Sequence, residues 1–477
     1  MSDAGASPID ERDRLIASKV AWRLAPLLML CYFVAFLDRV NVAFAALSMN
    51  ADLGFDSAVF GFGAGIFFIG YFFFEVPSNL VLEKLGARKW IARIMLSWGL
   101  VSAAMALVWN EPSFYVGRFL LGAAEAGFFP GVVLYLTYWF PAEHRARMVG
   151  LFMAAIPISG VIGSPLSGWL LGLEGTLGLH GWQWLFILEG LPPVILSVVV
   201  WHYLTDRPSQ ASWLTASERE WLETTLARER AHRDSVRKYR LGEALGSGRV
   251  LALSVLYLGL VTGLYGVTFW LPQIVKGFGG LSNLEVGFIA ALPTLAAAVA
   301  MVAWTRHSDR TRERPWHVAL PAFAGCLGLI GSAYVSNPIL STIALSVALI
   351  GIYAAIATSW TLPTAFLTGT AAAGGLALIN SIGNLGGFAG PYFMGWIKAA
   401  TGEYSLALLT IGIGLAISGL IALAMRQGGG ERAPRRRRIF RAIGRGSSLV
   451  RNRNGAIEAI APCRCRYCVG PRFSGSR

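Results

Sequence analysis

Residues 160–169 read GVIGSPLSGW, and residues 387–396 read GFAGPYFMGW. Three glycines and the tryptophan recur at an offset of 227 residues, and Pro165 recurs as Pro391 at an offset of 226. A repeat whose offset is about half the length of the 477-residue chain predicts that the two halves share one structure. Two charged doublets also repeat at an offset of 226: Glu83-Lys84 and Asp309-Arg310.

Long apolar runs make up most of the remaining chain. Hydrophobic residues account for 55% of the sequence and charged residues for 14%, whereas a soluble domain carries about 25% charged residues. A helix needs about 20 apolar residues to cross a bilayer, and twelve runs are long enough; they are too long for barrel strands. We predict an all-α membrane protein with twelve transmembrane helices in two six-helix bundles. The approximate runs are 24–48, 58–80, 91–109, 114–139, 148–171, 184–204, 250–273, 286–304, 318–335, 339–361, 372–397 and 404–426.

Basic residues concentrate in the loops that follow even-numbered runs. The loop after run 2 contains Lys84, Arg88 and Lys89, whereas the loops after runs 1, 3, 5 and 9 contain no Lys or Arg. Because Lys and Arg favour cytoplasmic loops, we predict a multi-pass protein of the cell inner membrane with both termini in the cytoplasm.

The net charge of +14 is concentrated in one segment. Residues 427–477 contain thirteen arginines and two glutamates, which account for +11 of the total. The rest of the chain is nearly neutral, so the charge does not indicate a nucleic-acid partner. The composition also excludes an ordinary soluble enzyme and a disordered protein.

The longest polar stretch, residues 205–249, divides the runs six plus six. Within it, Thr215-Ala-Ser-Glu218 has the pattern of a capping box ahead of apolar residues that include Leu222 and Leu226. We predict a short amphipathic helix against the cytoplasmic face; beyond residue 228 a solvated linker is an equal alternative. The predicted segments are a leader 1–23, a first bundle 24–204, a central loop 205–249, a second bundle 250–426 and a basic disordered tail 427–477.

Six charged residues lie four or more positions inside the runs, all in the first half. A charge at the bilayer centre costs at least a few kcal/mol, so each needs a partner or a function. At about 1.5 Å per residue, Arg39 lies about 22 Å from the cytoplasmic edge and Arg118 about 6 Å from the outer edge. In a core about 30 Å thick, the two guanidiniums share a depth and could clamp a carboxylate. The six residues are Asp38, Arg39, Glu75, Arg118, Glu125 and Glu189.

The stretch at residues 79–89, NLVLEKLGARK, resembles the loop 2–3 motif of the major facilitator superfamily. That motif normally opens with glycine and carries aspartate at the Glu83 position. The chain resembles this superfamily over about residues 20–426. The motif and its echo are therefore expected to act in conformational gating, through Glu83, Lys84, Arg88, Asp309 and Arg310.

Further stretches resemble a narrower group, the anion:cation symporter family. Members carry organic anions, commonly with protons, and the most similar bacterial branch includes permeases for tartrate, sugar acids, phthalate and hydroxyphenylacetate. The stretches are Phe36-Leu-Asp38-Arg39-Val-Asn41, Glu75-Val-Pro-Ser-Asn79, Arg118-x6-Glu125-Ala-Gly-Phe-Phe-Pro130-Gly, Tyr138-Trp-Phe-Pro141 and Asp206-Arg-Pro208.

The intramembrane charges acquire candidate roles from this resemblance. It implies that Arg39, Tyr71 and Arg118 contact the substrate anion, and that Asp38 and Glu125 take part in proton coupling. Glu125 lies seven residues from Arg118 on one helix face, near the midplane, where a partly desolvated carboxyl can carry a proton. A structural alternative stays open, in which Asp38–Arg118 or Arg39–Glu125 are buried pairs that hold helices 1 and 4 together.

The second half offers neutral polar groups. Asn380 and Asn384 are four positions apart and share a helix face, where they could bind substrate or bond to a neighbouring helix. Run 7 carries no cation, so a second cation for a dianion would have to come from elsewhere. Weaker candidates of the same neutral kind are Tyr257, Tyr265, Ser359 and Gln273.

These observations predict a secondary active transporter that carries a small organic carboxylate with protons by alternating access. The alternative is a superfamily exporter or antiporter of a different small molecule. A membrane sensor would need a signalling domain, and an enzyme would need a nucleophile–base constellation, so we predict no catalytic residues, metal or cofactor. The expected partners are the organic anion, protons and membrane lipid, with no nucleic acid and no obligate protein partner.

Overall fold

The computed structural model describes residues 8–235, 246–364 and 369–427, which are almost entirely helical. The predicted tail beyond Gln427 and residues 236–245 of the central loop lie outside the described residues. Seventeen α-helices occur in the described part: α1 Pro8–Leu53, α2 Ser57–Leu85, α3 Ala87–Ala104, α4 Glu111–Glu125, α5 Phe128–Trp139, α6 Ala142–Met153, α7 Ala155–Leu170, α8 Gly181–Tyr203, α9 Ala216–Ser235, α10 Gly248–Lys276, α11 Asn283–Thr311, α12 Pro315–Tyr334, α13 Pro338–Ser359, α14 Thr361–Thr364, α15 Gly369–Asn384, α16 Gly386–Thr401 and α17 Ser405–Gln427.

Eleven helical stretches of the described residues are long and apolar enough to cross a membrane. They match eleven of the twelve predicted runs. The remaining run, 372–397, is divided between α15 and α16, each of 16 residues, by a turn at Leu385. The first helix begins at Pro8, so the predicted polar leader is helical for most of its length.

The two halves pack by the same scheme. In the first half α3 packs on α8, α2 on α4, and α1 on α7; in the second half the equivalent contacts are α12 on α17, α11 on α13, and α10 on α16. Equivalent neighbours at equivalent positions are what a duplicated six-helix unit produces. The repeat in the sequence therefore corresponds to a repeat in the fold.

Glycines bring the two halves into backbone contact. A Cβ atom on Gly395 of α16 would lie 2.2 Å from the carbonyl oxygen of Ser57, and one on Gly168 of α7 would lie 2.4 Å from that of Asn283. Such distances are too short for any side chain, so only glycine permits this approach. The two contacts are related by the offsets of 226 and 227 residues that the sequence shows.

The same relation continues along these helices. A Cβ atom on Gly61 would lie 2.5 Å from Pro391 O, and one on Gly287 would lie 2.5 Å from Ser164 O. The two halves are therefore in close backbone contact at the end of the bundles where α2 and α11 begin. We call this end the sealed end. A third related pair of contacts lies near the middle of α2 and α11: Gly387 with Phe68 and Gly160 with Thr294.

Gly395→Ala is expected to lower the thermal unfolding midpoint of the purified protein by several degrees. The added methyl would collide with the backbone of α2, and overpacking of this kind costs about 1–3 kcal/mol. Gly414→Ala is the matched control, since a Cβ atom at that position would meet no packing neighbour within 4 Å. Equal unfolding midpoints for the two variants, measured in detergent, would contradict the proposed role of Gly395 in the contact.

The predicted helix of the central loop is present as α9. The Thr215 backbone N–H donates to Glu218 Oε2 (2.8 Å) and the Glu218 N–H donates to Thr215 Oγ1 (3.3 Å), which confirms the capping box. Leu222 and Leu226 are buried. A hydrogen bond from Lys19 in α1 holds the pKa of Glu218 below its ordinary value. The helix is thus fixed to the first half.

Candidate functional site

A buried ion pair joins α1 to the end of α4. Arg39 Nη2 donates to Glu125 Oε1, and the exposed fractions of the two residues are 8% and 1%. Helix α4 ends at Glu125 because Gly127 adopts a φ of +87°, a conformation that favours glycine. A Cβ atom on Gly127 would also lie 2.3 Å from Ser78 Oγ. The helix break therefore sets the position of the carboxyl that meets Arg39.

Arg39 also contacts the second half of the chain. Its Nη1 donates to the hydroxyl of Tyr265 in α10, at 3.2 Å. Tyr265 lies 226 positions after Arg39, so the two residues occupy equivalent positions in the repeat. One guanidinium thus connects a carboxyl of the first half with a hydroxyl of the second. Its Nε has no hydrogen-bond partner among the described residues.

Aromatic rings surround the Arg39 guanidinium. Its Cζ lies 5.1 Å from the ring centroid of Phe36 and 5.4 Å from those of Phe67 and Tyr71. At such distances ring faces attract a cation while they exclude water. Tyr71 therefore lies beside Arg39, with which the family resemblance grouped it.

Arg118 has a different environment from Arg39. Its Nε donates to Gly63 O and its Nη2 to Ala64 O, both at 3.3 Å, and the residue is 0% exposed. Close packing of α2 on α4 leaves the guanidinium against the α2 backbone, since a Cβ atom on Gly122 would lie 1.9 Å from Phe67 O. The Nη1 atom of Arg118 has no hydrogen-bond partner among the described residues.

Asp38 faces away from Arg39, as the spacing of adjacent helical residues predicts. Its carboxylate accepts hydrogen bonds from Trp98 Nε1 (2.7 Å), Ser102 Oγ (2.8 Å) and Asn41 Nδ2 (3.3 Å). The alternative pair between Asp38 and Arg118 is not formed within the described residues. The three donors, two of them from α3, fix Asp38 at the contact of α1 with α3.

Glu189 of α8 is a further buried carboxyl, close to Asn41. Its Oε1 accepts a hydrogen bond from Ser167 Oγ at 2.7 Å. Its Oε2 and the Asn41 Oδ1 atom both lack a hydrogen-bond partner among the described residues. Two neighbouring acceptors without a donor would be satisfied together by one proton on Glu189.

A cavity lies between the two halves, beside this group of residues. The empty space between its lining atoms is about 530 Å³, including the part open to solvent. Tyr265, the hydrogen-bond partner of Arg39, lines it. The polar lining also includes residues that the sequence did not single out: Ser159, Ser164, Thr268, Thr294 and Tyr353.

Other sequence candidates lie elsewhere. Asn380 and Asn384 are half-buried on α15 and do not line this cavity. The sequence gave only a weak signal for these hydroxyls. Thr294 is the repeat equivalent of Phe68 and packs against the repeat glycine Gly160, but a hydroxyl in an apolar helix is otherwise common. Among the described residues, no group of three or more His, Cys, Asp or Glu could hold a metal ion.

Four predicted gating residues lie at the ends of α2 and α11 opposite the sealed end, and Arg88 lies at the start of α3. The Arg88 backbone N–H donates to Asp206 Oδ1 (2.8 Å), and its Nε lies 3.9 Å from Asp206 Oδ2. Asp309 Oδ1 accepts from Arg314 Nη1 at 2.9 Å. The first contact joins α3 to the central loop and the second lies within the second half, so neither of them bridges the two bundles. Four of the residues are exposed: Glu83, Lys84, Asp309 and Arg310.

Comparison with known proteins agrees with this architecture. The sequence model of the Major Facilitator Superfamily matches residues 28–391. The chain belongs to the major facilitator superfamily. It is a multi-pass membrane transporter, as predicted, and its relatives bear transporter names rather than enzyme names.

Curated relatives cover most of the chain. A protein of Agrobacterium vitis that carries the provisional name tartrate transporter is 53% identical over 86% of this chain and 91% of its own. A quinolone resistance transporter of Acinetobacter baumannii is 44% identical over 83% of this chain and 91% of its own. The inner membrane transport protein RhmT of Escherichia coli is 39% identical over 86% of this chain and 95% of its own.

Solved structures share the fold at low sequence identity. A bacterial homologue of the human lysosomal transporter Spinster, in an inward-facing conformation, superposes with a TM-score of 0.72 at 16% identity, over 88% of this chain and 98% of the other. A D-xylose–proton symporter gives a TM-score of 0.65 at 14% identity, over 84% and 97%. These likenesses establish the major facilitator fold.

Proposed function

We propose that this transporter is a proton-coupled symporter of a small organic carboxylate, of the tartrate, sugar-acid or aromatic-acid kind, in the bacterial inner membrane. The observation that carries the proposal is the position of Arg39. It lies between Glu125 of the first half and Tyr265 of the second, next to the cavity between the halves. The relative named for tartrate supports the same substrate class.

Competition for Arg39 couples the proton to the anion. While Glu125 is ionised it satisfies the guanidinium, so a substrate carboxylate has no vacant cation. Protonation of Glu125 removes the negative partner, and a carboxylate can then take its place through charge-assisted hydrogen bonds. Because Tyr265 lies on the opposite half, occupancy of Arg39 also influences how the halves approach each other. A proton gradient can thereby bias the two conformations.

Alternating access requires the two bundles, 24–204 and 250–426, to rock about this site. By the distribution of Lys and Arg, both termini are cytoplasmic and the sealed end faces outward. The cavity is then reached from the cytoplasmic side in this conformation. The charges at the opposite ends of α2 and α11 engage across the halves when that side closes, which is the gating role of Glu83, Lys84, Arg88, Asp309 and Arg310.

The remaining candidates keep separate roles in this scheme. Tyr71 lines the approach of the carboxylate to Arg39. Arg118 positions α2 while the site is open to the cytoplasm, and it meets the anion when α2 and α4 move apart. Asp38 is the second proton-coupling group. Asn380 and Asn384 contact the substrate once α15 moves toward the cavity.

Reconstitution in liposomes tests the proposal directly. Purified protein is first screened by thermal shift against organic acids, since a bound ligand raises the unfolding midpoint. The acids that stabilise the protein are then supplied to proteoliposomes with and without an inward proton gradient. Accumulation above equilibrium only with the gradient is the expected result. Gradient-independent equilibration, or stabilisation by no carboxylate, would overturn the proposal.

An exporter of a different small molecule is the alternative function. The quinolone resistance transporter that is 44% identical favours it, as do the aromatic residues Phe36, Tyr265 and Tyr353 around the cavity. The two functions differ in their dependence on Arg39, because a neutral or cationic cargo has no need of a guanidinium. Efflux of a fluoroquinolone that survives Arg39→Ala would favour the exporter.

Deletion of residues 428–477 is expected to leave transport unchanged. The repeat is complete in α17, which ends at Gln427, and the thirteen arginines beyond it lie outside the duplicated unit. Initial uptake rates of the full chain and of a chain stopped after Gln427 are compared at equal membrane abundance. A slower rate for the shortened chain would show that the basic tail takes part in the transport cycle.

A further inference from the structure

Carboxyls outnumber cations deep within the membrane-spanning helices. The deep cations of the first half are Arg39 and Arg118, against Asp38, Glu125 and Glu189, with Glu75 nearer the end of α2. Arg93, near the start of α3, stacks on Trp90 at 3.8 Å. In residues 250–425 Lys and Arg occur at six positions, all near helix ends or in loops: Lys276, Arg306, Arg310, Arg312, Arg314 and Lys398.

Two lysines of the second half donate hydrogen bonds to nearby loop and helix-end atoms. Lys276 Nζ donates to Leu281 O (2.6 Å) and Asn283 Oδ1 (3.0 Å), and Lys398 Nζ donates to Gly402 O (2.5 Å). Arg118 donates to the α2 backbone and, within the described part of the chain, keeps one unpaired nitrogen, Nη1, but no residue of α2 or α4 lines the cavity. Among the described residues, Arg39 is therefore the one cation adjacent to the cavity.

The opposite wall of the cavity presents neutral hydroxyl groups. Ser159 Oγ donates to Ile156 O and Ser164 Oγ donates to Gly160 O, both at 2.7 Å. Each hydroxyl has one proton, so its remaining lone pairs face a ligand as acceptors. A second ionised carboxylate at this wall would meet neutral hydroxyls and no cation among the described residues, and an unpaired buried charge is unfavourable. A hydroxyl, an amide or a protonated carboxyl would instead supply a donor.

We infer that the site binds its cargo as a monoanion, with one ionised carboxylate on Arg39 and neutral polar groups toward α7. This inference rests on the proposed function and specifies its substrate class. Monocarboxylates with hydroxyl groups fit directly. A diacid such as tartrate binds in its singly protonated form, so it carries one proton itself in addition to the proton on Glu125.

A matched ligand series tests the charge state. Tartrate, malate and phthalate are each paired with their monoamides, which have the same shape but only one carboxylate. Affinities for the full-length protein are measured in detergent at several pH values above the second ionisation of each diacid. The quantity compared is the ratio of monoamide to diacid affinity, because protonation of the protein affects both ligands alike and cancels.

The expected ratio rises about tenfold for each pH unit, since the binding-competent fraction of the diacid falls tenfold while that of the monoamide stays constant. The same slope is expected in Glu125→Gln, because the titrating proton belongs to the ligand. A ratio independent of pH, or a slope that disappears in Glu125→Gln, would overturn the monoanion inference alone. If no carboxylate binds at any pH, the proposed function falls and this inference with it.

Discussion

Arg39→Ala is expected to reduce organic-anion uptake by at least about a hundredfold without loss of folded protein. The substitution removes the cation adjacent to the cavity, and a charge-assisted hydrogen bond contributes about 1.5–3 kcal/mol, with two available from one guanidinium fork. The protein should still fold, because Glu125 can become neutral by taking up a proton. Initial uptake in proteoliposomes and the thermal unfolding midpoint are the two measurements.

Two further variants sharpen this test. Arg39→Lys keeps the charge but not the planar fork that donates to Glu125 and Tyr265 together, so it is also expected to transport poorly. Arg93→Ala is the matched control: it removes an arginine of α3 that stacks on Trp90, and its uptake should stay near normal. Saturable uptake at the normal rate by Arg39→Ala would exclude an anion site at this residue.

Glu125→Gln is expected to abolish gradient-driven accumulation of a monocarboxylate, while exchange of labelled for unlabelled substrate persists. Glutamine is close to glutamate in shape but cannot ionise, so Arg39 is permanently released from its carboxylate partner. Substrate can still bind and cross, but no proton crosses with it at this position. Counterflow and accumulation under an imposed pH gradient are measured on the same proteoliposomes.

The direction of the pH effect follows from the same contact. In the unsubstituted protein, lower pH favours protonation of Glu125, which frees Arg39 and strengthens anion binding. That contribution is absent in Glu125→Gln, so binding of a monocarboxylate should become independent of pH. Retention of both accumulation and pH dependence would make Glu125 a structural residue, and Asp38 would become the leading proton carrier.

Glu189→Gln is the matched control for Glu125→Gln. Both residues are buried carboxyls of the first half, but Glu189 has no cationic partner among the described residues, and the Oδ1 atom of its neighbour Asn41 accepts no hydrogen bond there. A glutamine amide supplies the same donor as a protonated carboxyl, so accumulation should stay within about twofold of normal. Loss of accumulation in Glu189→Gln alone would transfer the coupling role to Glu189.

Sequence reasoning alone predicted the fold of this protein well. Membrane spans are visible because the bilayer requires about 20 apolar residues in each, and eleven of the twelve runs are continuous apolar helices. The offset of 226 to 227 residues exposed the duplication, since glycines such as Gly168 and Gly395 must recur wherever the same backbone contact recurs. The capping box of α9 could also be predicted, because its two hydrogen bonds join residues that are close in the chain.

Tertiary structure decided which charges meet. Helical rise placed Arg39 and Arg118 at one depth, but the direction in which each points depends on helix rotation and packing, which the sequence does not display. The break at Gly127 and the close contact of α2 with α4 put Glu125 on Arg39 and left Arg118 on backbone carbonyls. The link from Arg39 to Tyr265 also arises from tertiary structure, because residues 226 positions apart meet only when the duplicated halves face each other.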